Sequence, residues 1–269
     1  THIIRGKDLR DSEGRQGYVY DAFGWDYPEV LHWGRISVEE YGTLSTSSLA
    51  EKVTAGEYEG WDDPRVPTVR ALLRRGIRGE ALREALLELG VSDADVEFSM
   101  EHVYSANRAL VDDEANRYFF VRDPVRVEVE DAPETVAHPP LHPDDDRGVR
   151  ELAVDDAVLL EADDLPDDGE KLRFKSLYNV EVVSTDPPVV RHLGNDLSLV
   201  RDGDASVVHW LPADDGETVD ATLRTPDGDE TGVVEPAARD ELDDIVQFER
   251  VGFARVDSDD PFVAFFAHR

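Results

Sequence analysis

The nine residues Gly60-Trp61-Asp62-Asp63-Pro64-Arg65-Val66-Pro67-Thr68 constrain the fold more than any other stretch of this chain. A glycine and two prolines stand among them, so neither a helix nor a strand can run through. Each proline fixes its own φ and pushes the residue before it, Asp63 or Val66, toward extended geometry. Thr68 is then placed to cap a helix running from Val69 to Arg75. The stretch is a rigid joint between two halves built differently. The 269 residues suffice for two or three small domains with cores of their own.

Charge limits the partners. The formal net charge is −33, and of the 28 basic residues only Lys7, Lys52, Lys171 and Lys175 are lysines. The acidic residues are spread along the whole length, a solvated and self-repelling surface. The pattern also suits molar salt, where the Debye length is about 3 Å and such charge is tolerable. Acidity ordinarily argues against a nucleic-acid partner; in molar salt repulsion is screened and short-range contacts decide. No run approaches the roughly 18 apolar residues of a membrane span. No signal-peptide pattern opens the sequence, and a cytoplasmic location without membrane association is expected. With no cysteine there is no disulfide, thiolate metal site or thiol nucleophile.

The chain opens on an apolar run, Thr1 to Arg5, that breaks at Gly6; this reads as a buried strand entering a loop. Asp11 to Phe23 carries Val19, Tyr20 and Phe23 at helical spacing, with Asp11 or Ser12 as cap and Gly24 as stop. Glu29 to Trp33 is a second short strand. Strand, helix, strand is a βαβ unit, and parallel strands need more neighbours than two. A further portion of the domain before Thr1 is therefore expected.

These residues, Thr1 to Ile36, resemble the second half of the catalytic domain of archaeal-type glutamyl-tRNA synthetases, class I. Gly60 to Thr68 resembles the junction after that family's signature loop. The resemblance implies ATP-dependent ligation of L-glutamate to tRNA(Glu) through glutamyl-adenylate, with ATP as its Mg2+ complex, in a monomer; the charge adds that the protein is expected to be halophilic. The HIGH motif of the first half has no counterpart here, so this chain alone is expected to be inactive. Arg5 stands where glutamyl enzymes carry an arginine that helps to bind the substrate carboxylate and glutaminyl enzymes a smaller uncharged residue. A guanidinium fork suits two carboxylate oxygens; the competing reading makes Arg5 a salt-bridge partner of Asp8. A glutaminyl enzyme and a tRNA-binding module without catalysis are the alternatives.

By position, Thr43, Leu44, Ser45, Thr46 and Ser47 match the KMSKS loop, which closes over ATP phosphates and stabilises pyrophosphate. Thr43 and Thr46 replace its lysines, and Lys52 and Arg35 are the nearest basic residues. Backbone N–H groups at the start of the following helix, expected near Leu49 to Ala55, remain as phosphate donors. Alone, so Ser/Thr-rich a stretch reads as a solvent linker.

Helices are expected over Val69–Arg75 and Gly79–Leu89, with Gly76 and Gly90 as stops, and from Phe98 to Val111 after a cap at Ser92. Arg70, Arg74 and Arg78 fall at i, i+4 and i+8, with Arg75 alongside. They read either as a salt-bridged face or as tRNA phosphate contacts.

From Arg117 the pattern alternates in strand fashion to Val129. Further strands are expected at 157–161, 171–183, 189–193, 207–211, 218–223, 245–250, 253–256 and 262–267, which suggests barrels. The resemblance implies two anticodon-binding β-barrels. Arg117 stands where the family sets an arginine on anticodon bases, and Arg173 and Lys175 lie in a second contact stretch. Guanidinium pairs with base edges and stacks on unpaired bases; ordinary strand-surface charge is the plainer reading. His138 and His142 are four apart, but the prolines between them exclude a helix and no metal is expected.

The expected fold is thus multi-domain α/β plus mainly β. Residues 1–60 form half of a Rossmann-like catalytic domain and 61–116 a small connecting helix bundle. Residues 117–269 form the barrels, the proximal from 117–175 with 240–269 and the distal from about 176–239.

Overall fold

The structure, a computed structural model, describes residues 1–41 and 45–269. Thr43 and Leu44 of the expected signature loop lie outside the described residues. The first 111 residues form β1 (His2–Gly6), α1 (Asp11–Phe23), β2 (Glu29–Trp33), β3 (Ile36–Val38), α2 (Thr46–Thr54), α3 (Val69–Arg74), α4 (Gly79–Leu89), β4 (Val96–Phe98) and α5 (Met100–Val111). The chain divides into two units, Thr1–Glu57 with Ile77–Ala109 and Tyr58–Gly76 with Leu110–Arg269. The segment 61–116 is therefore shared. α3 belongs with the barrels, while α4 and most of α5 belong with the N-terminal elements.

In the first unit β1 and β2 pair in parallel, with Ile3 opposite Val30 and Arg5 opposite His32. α1 starts from a 3-10 turn at Lys7–Leu9, so its N-cap is Arg10 rather than Asp11 or Ser12. It ends at Gly24, whose φ of 64° is the left-handed stop expected of glycine. β3 pairs in parallel with β4, where a helix was expected to begin at Phe98. Ser92 caps no helix: its Oγ accepts from Ala94 N in a turn. That turn presses on Gly34, where a Cβ would lie 1.9 Å from Ala94 O. Only glycine allows so close an approach.

The joint is as rigid as its prolines imply. Asp63, 2% exposed, accepts from Glu59 N, Arg65 N and the Arg65 Nε and Nη2. Thr68 Oγ1 donates to Trp61 O and accepts from Ala71 N, capping α3. Arg74 grips Asp257 through Nε and Nη2 at 3.2 and 2.7 Å and Asp62 through Nη1 at 2.9 Å. Buried Arg75 donates to Phe266 O and Ala267 O.

The rest of the second unit is β5 (Asn116–Tyr118), β6 (Phe120–Arg122), β7 (Pro124–Glu130), β8 (Thr135–Ala137), β9 (Leu152–Val154), β10 (Ala157–Glu161), β11 (Lys171–Phe174), β12 (Asn179–Thr185), β13 (Pro188–Gly194), β14 (Ala205–Val208), β15 (Leu211–Pro212), β16 (Val219–Thr225), β17 (Gly228–Val234), β18 (Ile245–Phe248), β19 (Gly252–Asp259) and β20 (Phe262–His268). Two seven-stranded sheets result, in the orders β14-β11-β12-β13-β7-β10-β15 and β5-β18-β19-β20-β16-β17-β6. Each forms a near-barrel round its own core. One core holds Phe119, Phe174, Tyr178 and Trp210, the other Tyr118, Phe120, Phe248 and Phe262.

The strands sort differently from the expected division at 175 and 240. One sheet takes its strands from 124–130 and 157–212, while β8 and β9 pair with each other; the other takes 116–122 with 219–268. The crossing occurs at Asp123, whose φ of 40° breaks the run. Just before it, Tyr118 and Phe120 point into one core and Phe119 and Val121 into the other. Period-2 alternation reports that both faces of this segment are used, not which distant strand covers each.

Candidate amino-acid site and nucleic-acid interface

α1 lies on the face of the β1–β2 pair that carries Arg5. Arg5 Nη2 donates to Gln16 Oε1 at 3.0 Å and to Tyr27 OH at 3.4 Å, and Tyr27 OH donates to the same Gln16 oxygen at 3.0 Å. Tyr27 is itself packed edge-on against Tyr20, with centroids 5.0 Å apart. One arm of the fork is thus fixed by neutral groups. Its Nε is buried and has no hydrogen-bond partner, and among the described residues Arg5 makes no ion pair, with Asp8 or any other carboxylate. A guanidinium held by neutral partners keeps its charge for a ligand anion. Gln16 and Tyr27 were not singled out from sequence. The usable signal was that Glu13, Gln16 and Tyr20 share one face of α1 at i, i+3 and i+7.

Of the loop residues described, Ser45 is the N-cap of α2, its Oγ accepting from Ser48 N at 3.1 Å. The helix therefore begins at Thr46, earlier than the expected Leu49, and Thr46 and Ser47 occupy its first turn. No acidic residue stands in that turn, so the positive end of the helix dipole is not offset there. Lys52 is paired with Glu57 at 3.1 Å at the other end.

The arginines around the joint separate. Arg70 is exposed on α3, beside Trp61, Thr68 and Val69, with no protein partner among the described residues. Arg74 is committed to Asp62 and Asp257 and lies over the Phe265 ring at 4.4 Å. The three-arginine helical face does not form, because α3 ends at Arg74 and Arg78 is the N-cap of α4.

In the barrels, Arg117 and Lys175 come from different sheets and meet in one polar cluster. Lys175 pairs with Glu249, which also accepts from Arg150 Nη2 at 3.3 Å. Arg150, 2% exposed at the side chain, pairs with Glu235 and lies over Phe119 at 4.6 Å. Arg117 reaches Asp112 at 3.3 Å and keeps a buried, unpartnered Nε. Burial lowers the Lys175 pKa, and the neighbouring charges of Arg117 and Arg150 lower it further. Burial likewise raises the Glu235 pKa against the pull of Arg150. Arg173 stands apart, donating to Asn179 Oδ1 at 3.0 Å. Arg150, Glu235 and Glu249 escaped the sequence reading, since their pairing spans 85 and 99 positions of chain. His142 Nε2 lies 3.1 Å from Asp112 O, a backbone contact.

The site residues thus fall on a βαβ unit, on a serine-capped helix and on two near-barrels. Three family models agree, each in its place along the chain. They are the catalytic domain of class I tRNA synthetases (E and Q) over residues 1–113, and two anticodon-binding domains of the same enzymes over 115–193 and 207–257. The chain belongs to the class I tRNA synthetases of the E and Q branch. Its relatives carry the name glutamate–tRNA ligase. That of Methanosarcina acetivorans is 50% identical over 274 residues, covering 100% of this chain and 48% of the relative. That of Haloquadratum walsbyi is 51% identical over 266 residues, covering 97% and 45%. That of Natronomonas pharaonis is 50% identical over 278 residues, covering 100% and 47%. The chain spans about half the length of the curated relatives it matches. No helix among the described residues is long and apolar enough to cross a membrane.

Proposed function

We propose that this chain is the part of a glutamate–tRNA ligase that holds the amino acid, the signature loop and the anticodon, in an enzyme that ligates L-glutamate to tRNA(Glu) through glutamyl-adenylate. Residues 1–60 contribute to the catalytic domain, and the two near-barrels bind the anticodon arm. The observation that carries this reading is the state of Arg5, fixed through one arm and unpartnered at a buried Nε. Such a group favours a carboxylate substrate and argues for glutamate over glutamine. ATP, as its Mg2+ complex, is the energy source, and the start of α2, capped by Ser45 and free of acidic residues in its first turn with Thr46 and Ser47, is the segment suited to its phosphates. Arg70 and Arg117 are the arginines best placed for tRNA, with Lys175 beside the second and Arg173 apart on β11. Arg74 would first have to leave two aspartates. The enzyme works in the cytoplasm, as a monomer.

Arg5→Ala tests the reading in the native polypeptide that carries this chain. Losing a charge-assisted pair costs roughly 2 kcal/mol. The KM for glutamate should rise correspondingly and that for ATP should stay near its original value. Unchanged glutamate kinetics would remove Arg5 from the site.

A further inference from the structure

His32 stands beside Arg5 as its register partner on the same face of the β1–β2 pair. Its side chain is 10% exposed, and its Nε2, like Arg5 Nε, is buried without a hydrogen-bond partner. Glu13 Oε2 from α1 lies 3.4 Å from that nitrogen, within ion-pair range but not aligned as a hydrogen bond. Buried polar nitrogens are rarely left unsatisfied. Arg5 Nε and His32 Nε2 thus belong to register partners on one face of adjacent strands, both without a hydrogen bond, with Glu13 the carboxylate beside the second.

We propose that His32 and Arg5 together seat the side-chain carboxylate of glutamate, and that Glu13 is the internal anion this carboxylate displaces. The inference rests on the amino-acid site proposed above. Arg5, anchored through Nη2 by Gln16 and Tyr27, offers Nε to one carboxylate oxygen. His32, in the tautomer that protonates Nε2, donates to the other. An amide in the same place would turn its NH2 toward one of these donors, leaving donor facing donor. That mismatch selects glutamate against glutamine. Glu13 orients the imidazole in the absence of substrate and opposes the incoming carboxylate by like charge.

The test is equilibrium binding of L-glutamate and L-glutamine, in molar KCl, to the full native polypeptide and to its Arg5→Ala, His32→Leu, His32→Gln and Glu13→Gln variants. His32→Leu should weaken glutamate binding about tenfold, the scale of one buried hydrogen bond, and reduce the preference over glutamine. His32→Gln, which keeps a neutral donor, should retain part of the affinity. Glu13→Gln should tighten glutamate binding severalfold, a change that misfolding cannot imitate. Normal glutamate binding by His32→Leu beside weakened binding by Arg5→Ala overturns the role of His32 and leaves the amino-acid site standing. Weaker glutamate binding by Glu13→Gln overturns it equally. Normal binding by Arg5→Ala overturns the site and the inference together.

Discussion

At the scale of single residues, position in sequence said less than the partner found in space. Arg74 and Arg70 are four apart and chemically alike, yet one is held by two aspartates and the other faces solvent. Asp63 was legible only as the residue before a proline; in the fold it anchors the joint. Burial pushes its carboxyl up, but the Arg65 side chain and the backbone N–H groups of Arg65 and Glu59 outweigh this and hold it at about 2. Its folded value thus lies below the ordinary 3.8. The resulting stability is present above about pH 4 and is lost as pH falls through the folded value, a span worth about 2 kcal/mol. At 2% exposure little of this is screened. Asp63→Asn should therefore cost about 2 kcal/mol in urea unfolding at pH 7 and much less near pH 2. An equal cost at both pH values would mean that the carboxylate charge is not what holds the joint.

At the scale of elements, local signals carried the helices and the strongly apolar strands. α1, α4 and β2 occupy the residues their spacing indicates, and Thr68 caps α3 as expected. Several short strands were missed, and the longest missed strand was β17, whose run Gly-Asp-Glu-Thr-Gly-Val-Val has two glycines and two acids and little strand propensity of its own. It is formed by its neighbours: seven register pairs with β16, from Val219–Val234 to Thr225–Gly228, and three with β6. Gly232 belongs there because a Cβ would meet Val121 O at 2.2 Å, a close backbone approach that strand glycines mark. Gly232→Val should destabilise the second unit by about 3 kcal/mol, the upper range for overpacking. Gly14→Ala in α1, where a Cβ meets nothing within 4 Å, should instead be neutral or stabilising by up to about 1 kcal/mol. Matched urea curves for the two variants decide this; similar losses for both would deny that the close approach is what selects glycine.

At the scale of the whole chain, the order of motifs identified the family, and topology supplied what order could not. Which strands share a sheet depends on partners about 100 residues apart, so the division between the near-barrels was unreadable from alternation alone. The same distance hid the cluster in which Arg117 and Lys175 meet round Glu249 and Arg150. A net charge of −33 sets the conditions under which such a cluster can meet RNA. At about 1 M salt the screening length is about 3 Å, so contacts at hydrogen-bond range persist while the acidic surface no longer repels the phosphates. The most direct measurement is the affinity of the 269-residue chain in molar KCl for tRNA(Glu), beside the same tRNA with its anticodon bases replaced. The expected result is binding that weakens markedly when the anticodon changes and loses that sensitivity in Arg117→Ala. Equal affinity for both tRNAs, or no binding at any salt concentration at which the chain is folded, would contradict the assignment of the β half to anticodon recognition.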